Sequence, residues 1–228
     1  MPSALVLFDI DGTLVRKAGP QHRQALEVAA KRATGLDVTS QGIATQGMLD
    51  RDILRQMLEV KGLKPRAIRE AMPEMIRLSE RHYSEICLPD LSKKVCPGAK
   101  MLLWKLHRKK VPAGLVTGNF TQIGWKKMEL AGLRRYLQFG AFAELADDRA
   151  GLVRIAMREA RSRGWLHRDT VVSLIGDHPN DIRAAKANGV RSIAVCTGVV
   201  DAAELSTHDP DILIPDLRSL PPEKLLVA

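Results

Sequence analysis

The sequence predicts an α/β fold: a Rossmann-like, doubly covered parallel sheet with helices on both faces, plus an inserted α-helical cap. Three observations carry this. Short apolar runs recur at 4–10, 111–116, 171–175, 192–195 and 212–214, each the length of a buried strand and too short for a helix. Helical patterns separate them over residues 95–215, and strands alternating with helices build parallel βα units. From about Val15 to Leu91 the rhythm breaks, and helical patterns appear with no strand-like run between them.

Taken in order, the first run (ALVLFDI, 4–10) ends in acidic residues. Helical patterns follow at 21–34, 49–61 and 66–86, punctuated by Gly35, Gly62, Pro65 and Pro89, residue types that end helices or mark turns. The alternating part then reads as helix 99–110, strand 111–116, helix 121–131, a strand near 138–141, helix 151–163, strand 171–175, helix 180–188, and strands at 192–195 and 212–214. The expected organisation is a core of residues 1–15 and 92–228 with a helical cap of residues 16–91.

Composition bounds the function. The 228 residues are 45% hydrophobic and 27% charged, which excludes a disordered or collagen-like chain. No apolar run approaches the ~18 residues of a membrane span, and no secretory pattern is evident. Cys87, Cys96 and Cys196 lack CxxC spacing, so neither a disulfide framework nor a zinc site is expected and a reducing, cytoplasmic setting fits. The net charge of +9 is concentrated at 93–135, where eleven Lys and Arg stand against one acid. Such a field attracts phosphorylated metabolites or nucleic acid. The expectation here is solvated helix faces, with nucleic acid not an expected partner.

Ligands of open parallel sheets bind beyond the carboxyl ends of the strands. There the sequence puts Asp9, Asp11, Gly12 and Thr13 after the first run, Thr117, Gly118 and Asn119 after the second, and Gly176, Asp177, Asn180 and Asp181 after the run at 171–175. Alone, each segment is ordinary turn or helix-cap chemistry. Together they bring four carboxylates to one sheet edge. Carboxylates that close repel and have their pKa values raised unless a cation is present, and an all-oxygen set suits Mg²⁺.

The segments FDIDGTL at 8–14, LVTGN at 115–119 and GDHPND at 176–181 resemble the first, second and fourth motifs of the haloacid dehalogenase-like hydrolase superfamily. The insertion resembles, by position and length, the helical cap of its phosphoglycolate phosphatase and β-phosphoglucomutase branch. The resemblance implies a Mg²⁺-dependent phosphatase acting on a small phosphorylated metabolite. In it Asp9 attacks phosphorus and forms an aspartyl-phosphate. Asp11 protonates the leaving oxygen and later deprotonates water, while its carbonyl touches the metal. Thr117 and the backbone after it, at Gly118 and Asn119, hold the phosphoryl oxygens; Asp177 is a metal ligand, with Asp181 a second ligand or an orienting neighbour.

Three features depart from the pattern. Arg149 stands where the family's third motif usually has lysine. It lies past the strand near 138–141 and just before a helix, at the acidic edge, whereas Lys126 and Lys127 follow Thr117 on the next helix and are passed over for this role. His178 follows the first aspartate of the fourth motif and is read as a solvated strand-end residue. Met48 and Leu49 replace a more polar cap segment. A mutase of the β-phosphoglucomutase type, with His22 assisting Asp11, is the alternative activity, although His22 is expected to be an ordinary surface residue. A non-catalytic protein using the basic stretch is a more distant alternative.

Overall fold

A computed structural model describes residues 4–226; the outermost residues of the expected segments 1–15 and 92–228 fall outside them. The first strand, β1 (Ala4–Phe8), is buried along its whole length, as befits a strand covered on both faces. Leu5 and Leu7 join one apolar cluster while Ala4, Val6 and Phe8 join another, the two-residue alternation of a pleated strand. Around β1 a six-stranded sheet assembles in the order β3-β2-β1-β4-β5-β6. The other strands are β2 (Ala113–Val116), β3 (Phe139–Ala141), β4 (Val171–Gly176), β5 (Arg191–Val195) and β6 (Ile212–Ile214). All five pairings are parallel, so every strand points its carboxyl end at the same edge.

Between β1 and β2 the chain forms α1 (Gln21–Thr34), α2 (Asp50–Val60), α3 (Pro65–Ile86) and then α4 (Ala99–Arg108). The helices α1 to α3 fill the expected cap segment. Gly35 in left-handed conformation ends α1, and Pro65 opens α3. The two crossings into and out of this segment run side by side. Val15 bridges Val95 in antiparallel fashion, and the Cys96 N–H donates to the Leu14 carbonyl at 2.9 Å. Apolar residues of the three helices, among them Leu26, Leu54, Met57 and Met75, are continuous with the cluster on one face of the sheet.

The rest of the core is α5 (Thr121–Leu130), α6 (Arg149–Ser162), α7 (Pro179–Ala187), α8 (Ala202–Thr207) and α9 (Glu223–Leu226). Two helices start earlier than their apolar periodicity suggests, because polar caps extend them. Asp148 accepts from the Gly151 N–H at 2.6 Å, which makes Arg149 the first residue of α6. His178 caps α7 with Nδ1 on the Asn180 N–H, and Asp181 returns a bond to the His178 N–H. The side chain of His178 is therefore a capping group, half-buried against Gly47 of the cap segment, and not a solvated strand-end residue.

Several charges of the basic stretch are engaged within the fold. Arg134 stacks 3.9 Å from the centre of the Trp125 ring, Lys109 pairs with Glu223, Lys126 pairs with Glu129, and Lys127 is buried. No helix among the described residues is long and apolar enough to cross a membrane.

Candidate active site

At the carboxyl edge of β1 and β4 the chain gathers Asp9, Asp177 and Asp181, all buried, with one oxygen of each within 4.8 Å of the others. The turn after β1 passes so close that only glycine fits. Gly12 has φ +91°, and a Cβ there would sit 2.1 Å from Asp177 Oδ2. Thr13 donates its hydroxyl to Asp177 Oδ1 at 2.8 Å. Arg149 reaches in from the start of α6, with Nη1 2.6 Å from Asp181 Oδ1 and 3.1 Å from Asp9 Oδ1.

Burial and the proximity of Asp9 and Asp181 push Asp177 well above the carboxylate range. Burial raises Asp181 as well, with Arg149 opposing and Asp9 adding to the shift. Burial works against the Arg149 charge, but its three acidic neighbours hold it more firmly protonated than usual. Three carboxylates against one guanidinium leave the cluster short of positive charge, and the buried Asp9 Oδ1 has the Arg149 ion pair but no well-aligned hydrogen bond. An all-oxygen donor set of mutually repelling buried carboxylates fits a hard divalent cation.

Asp11 belongs to a second network. Its carboxylate, 44% exposed toward a cavity, accepts from Lys127 Nζ at 2.8 and 2.6 Å and from Asn119 Nδ2 at 2.8 Å. Burial alone would raise its pKa, but the Lys127 charge and the hydrogen bonds from Lys127 and Asn119 outweigh that and hold it below the usual carboxylate value. The Asp11 carboxylate is thus not part of the three-acid cluster; the metal contact expected of Asp11 was through its carbonyl.

Asn119 is buried and fully engaged. It donates to Asp11 and to Thr117 Oγ1, and its Oδ1 accepts from Lys127 at 2.7 Å. Thr117 is buried beneath it. Neither lines the cavity, whereas Gly118 does. Gly118 faces the cavity, while the Asn119 side chain braces Asp11 and is itself held by Thr117 Oγ1.

The cavity, of about 550 Å³, lies between the sheet edge and the helices α1–α3. Its lining includes Asp9, Asp11, Gly118, Arg149 and Asp177 from one side, and His22, Arg23, Met48 and Tyr83 from the other. The segment with Met48 and Leu49 docks by its backbone. The Asp50 N–H donates to the Gly118 carbonyl at 2.7 Å, and Asn180 Nδ2 donates to the Gly47 carbonyl at 2.6 Å.

Two residues exceed what the sequence suggested. Lys127, passed over in favour of Arg149, is 1% exposed and sits in the site beside it rather than in its place. Its signal was present: it falls four residues after Ile123 on the buried stripe of α5, where a charge needs partners. His22 is not a surface residue. It lies between Lys127 and Asp50, with Nε2 2.9 Å from Asp50 Oδ2 and its ring edge-on to Tyr83.

With this geometry in hand, likeness to known proteins becomes informative. Residues 4–189 match the family of haloacid dehalogenase-like hydrolases. The chain belongs to that family. A phosphoglycolate phosphatase of Pseudomonas fluorescens is 26% identical over 96% of this chain and 78% of its own length. One from Synechococcus elongatus is 26% identical over 92% of this chain and 91% of its own. Among solved structures, a β-phosphoglucomutase from Clostridium difficile superposes with a TM-score of 0.70 at 17% identity, covering 98% of this chain and 95% of that one; at that identity the likeness concerns the fold. This haloacid dehalogenase-like hydrolase is an enzyme of the phosphatase kind, with the Rossmann-like sheet of its family.

Proposed function

We propose that the protein is a Mg²⁺-dependent phosphatase that hydrolyses a small phosphorylated metabolite through an aspartyl-phosphate on Asp9. In this reading residues 16–91 are a cap closing over a core of residues 1–15 and 92–228. The observation that carries it is the cluster of Asp9, Asp177 and Asp181 opening onto a cavity that the cap helices also line. The names of the curated relatives make phosphoglycolate the first substrate to assay. The three unpaired thiols agree with a reducing, cytoplasmic setting.

Asp9 attacks phosphorus with a carboxylate oxygen, and the bond to the leaving oxygen breaks. Asp11, entering this step in its protonated form, gives that oxygen its proton and is left as the carboxylate. Asp11 then takes a proton from water, whose oxygen attacks phosphorus and releases Asp9 and inorganic phosphate. Arg149, with Nη1 3.1 Å from Asp9 Oδ1, holds that carboxylate in place. Asp9, Asp177, Asp181 and the Asp11 carbonyl would hold the Mg²⁺, which supplies positive charge for the transferred phosphoryl group. The cap keeps bulk water from the cavity while the leaving group departs.

The mutase alternative is not favoured, because both ring nitrogens of His22 are occupied by Lys127 and Asp50. The test is phosphate release from phosphoglycolate and from an aryl phosphate, with and without chelator. Activity lost in chelator and restored by Mg²⁺, and no turnover by a folded Asp9→Asn, is the expected result. Full activity in excess chelator, or near-wild-type rates for Asp9→Asn, overturns it.

A further inference from the structure

Lys127 is the most deeply buried ammonium among the described residues, and the reaction as derived does not use it. Burying such a charge costs several kcal/mol unless its donors are met. They are: Nζ lies 2.8 and 2.6 Å from the two Asp11 oxygens, 2.7 Å from Asn119 Oδ1 and 3.1 Å from His22 Nδ1. An ammonium has three N–H groups and no acceptor. His22 Nδ1 must therefore be the acceptor, so the ring proton sits on Nε2 and is donated to Asp50 Oδ2. The chain of donors runs from Lys127 outward, to Asp11 in one direction and through His22 to Asp50 in the other.

The two ends belong to different parts of the fold. Asp11, Asn119 and Lys127 come from the strand ends and α5, while His22 is on α1 and Asp50 begins α2. Asp50 Oδ2 also accepts the Phe120 N–H at 2.9 Å, just before α5. The cap thus contributes one of the ligands that fix the direction of the Lys127 ammonium, and contacts the beginning of the helix that carries it.

We infer that Lys127 is a positioning residue for Asp11: held by Asn119 from the core and by His22 from the cap, it aims the Asp11 carboxylate at the leaving-group oxygen when the cap is seated. The inference rests on Asp11 being the proton carrier. Lys127 itself touches neither phosphorus nor the leaving oxygen. It transfers no proton and acts through the carboxylate it grips.

The discriminating experiment uses two substrates that differ in their need for a proton. A 4-nitrophenyl ester expels a stable phenolate, whereas an alkyl phosphate must have its alkoxide protonated. With enzyme in excess and Mg²⁺ present, release of the phenol or alcohol in the first turnover reports the step that Asp11 assists. Lys127→Met is expected to slow the alkyl ester by about 10²-fold, the low end of acid–base contributions, with a loss at least tenfold smaller on the aryl ester. Lys127→Arg should recover part of the alkyl rate. His22→Ala should show the same selectivity in weaker form, and it serves as the test if Lys127→Met does not fold.

Asp11→Asn separates the inference from its premise. If Asp11→Asn is selective for the alkyl ester and both Lys127→Met and His22→Ala slow the two esters equally, Lys127 is structural and the inference fails while the phosphatase reading stands. If Asp11→Asn shows no selectivity, Asp11 is not the proton carrier and both fall.

Discussion

In Arg149→Ala, three buried carboxylates would face one another without the guanidinium now 3.1 Å from Asp9 and 2.6 Å from Asp181. At an effective dielectric constant of about 20, a unit pair near 3 Å attracts by about 5 kcal/mol, and much of that is offset by taking the guanidinium out of water. Removing one partner of a buried pair costs about 3–5 kcal/mol, because the other is stranded. The lower end applies here, since Asp177 and Asp181 already lean toward taking up protons. For a chain of this length each kcal/mol moves Tm by about 2–4 °C, so a chelated Arg149→Ala should melt about 6–12 °C below the chelated wild type. Excess Mg²⁺ should narrow the gap, because a divalent cation supplies charge to the same oxygens. Turnover should fall at least ~10-fold, or about 1.4 kcal/mol of barrier. Arg149→Lys should keep part of it, having the charge without the planar fork. Calorimetry with and without chelator, beside steady-state kinetics, reads all of these. A Tm within about 2 °C of wild type in chelator, with unimpaired turnover, would refute the assignment of Arg149 to the acid cluster.

Two further expectations concern the same edge of the sheet. Asp177 and Asp181 stand above the ordinary carboxylate range, Asp181 at about 7, so the folded chain holds protons that the unfolded chain releases near pH 4. That contribution to stability is complete below about pH 4 and is lost as pH rises toward 7; added Mg²⁺ should offset this loss, and a pH series of Tm identical with and without metal would count against it. Gly118→Ala would place a Cβ 2.2 Å from the Met48 carbonyl. It should hold the cap segment away from the core and cut turnover at least ~10-fold, measured by kinetics on a variant whose circular dichroism is unchanged; wild-type kinetics would show that the segment moves freely.

The fold was legible because its strands are short, wholly apolar and separated by helical patterns, and because the insertion lacked any such run. The acid cluster was legible for a local reason: Asp9, Asp177 and Arg149 each lie within a residue or two of a strand or helix end, and parallel strands bring those ends to one edge. Lys127 was missed because its reach into the site depends on the rotation of α5 about its own axis, which Ile123 and Met128 set by burying the same face. Asp50 and His22 were harder still. They meet Lys127 only through the way α1 and α2 dock on the core, and Met48 and Leu49 look from sequence like poor substrate readers without revealing that the backbone on either side of them, at Gly47 and Asp50, makes the docking bonds.

That docking rests in good part on backbone groups where the segment 47–51 meets the loops at the sheet edge. Gly47 offers a carbonyl to Asn180, Asp50 offers its N–H to Gly118 and its carboxylate to the Phe120 N–H, and Arg51 donates to the Ala146 carbonyl at 3.0 Å. Backbone groups carry much of this recognition, so side chains such as Met48 are free to face the cavity. Among the side chains that also take part, the Asp50 carboxylate makes two bonds that tie two events together. By accepting from Phe120 it takes up a donor at the head of α5 that helix geometry leaves unpaired, and by accepting from His22 it orients the ring that receives Lys127. Displacing the cap would therefore uncap α5 and release Lys127 in the same movement, which couples the placement of Asp11 to closure without requiring any group to change its charge.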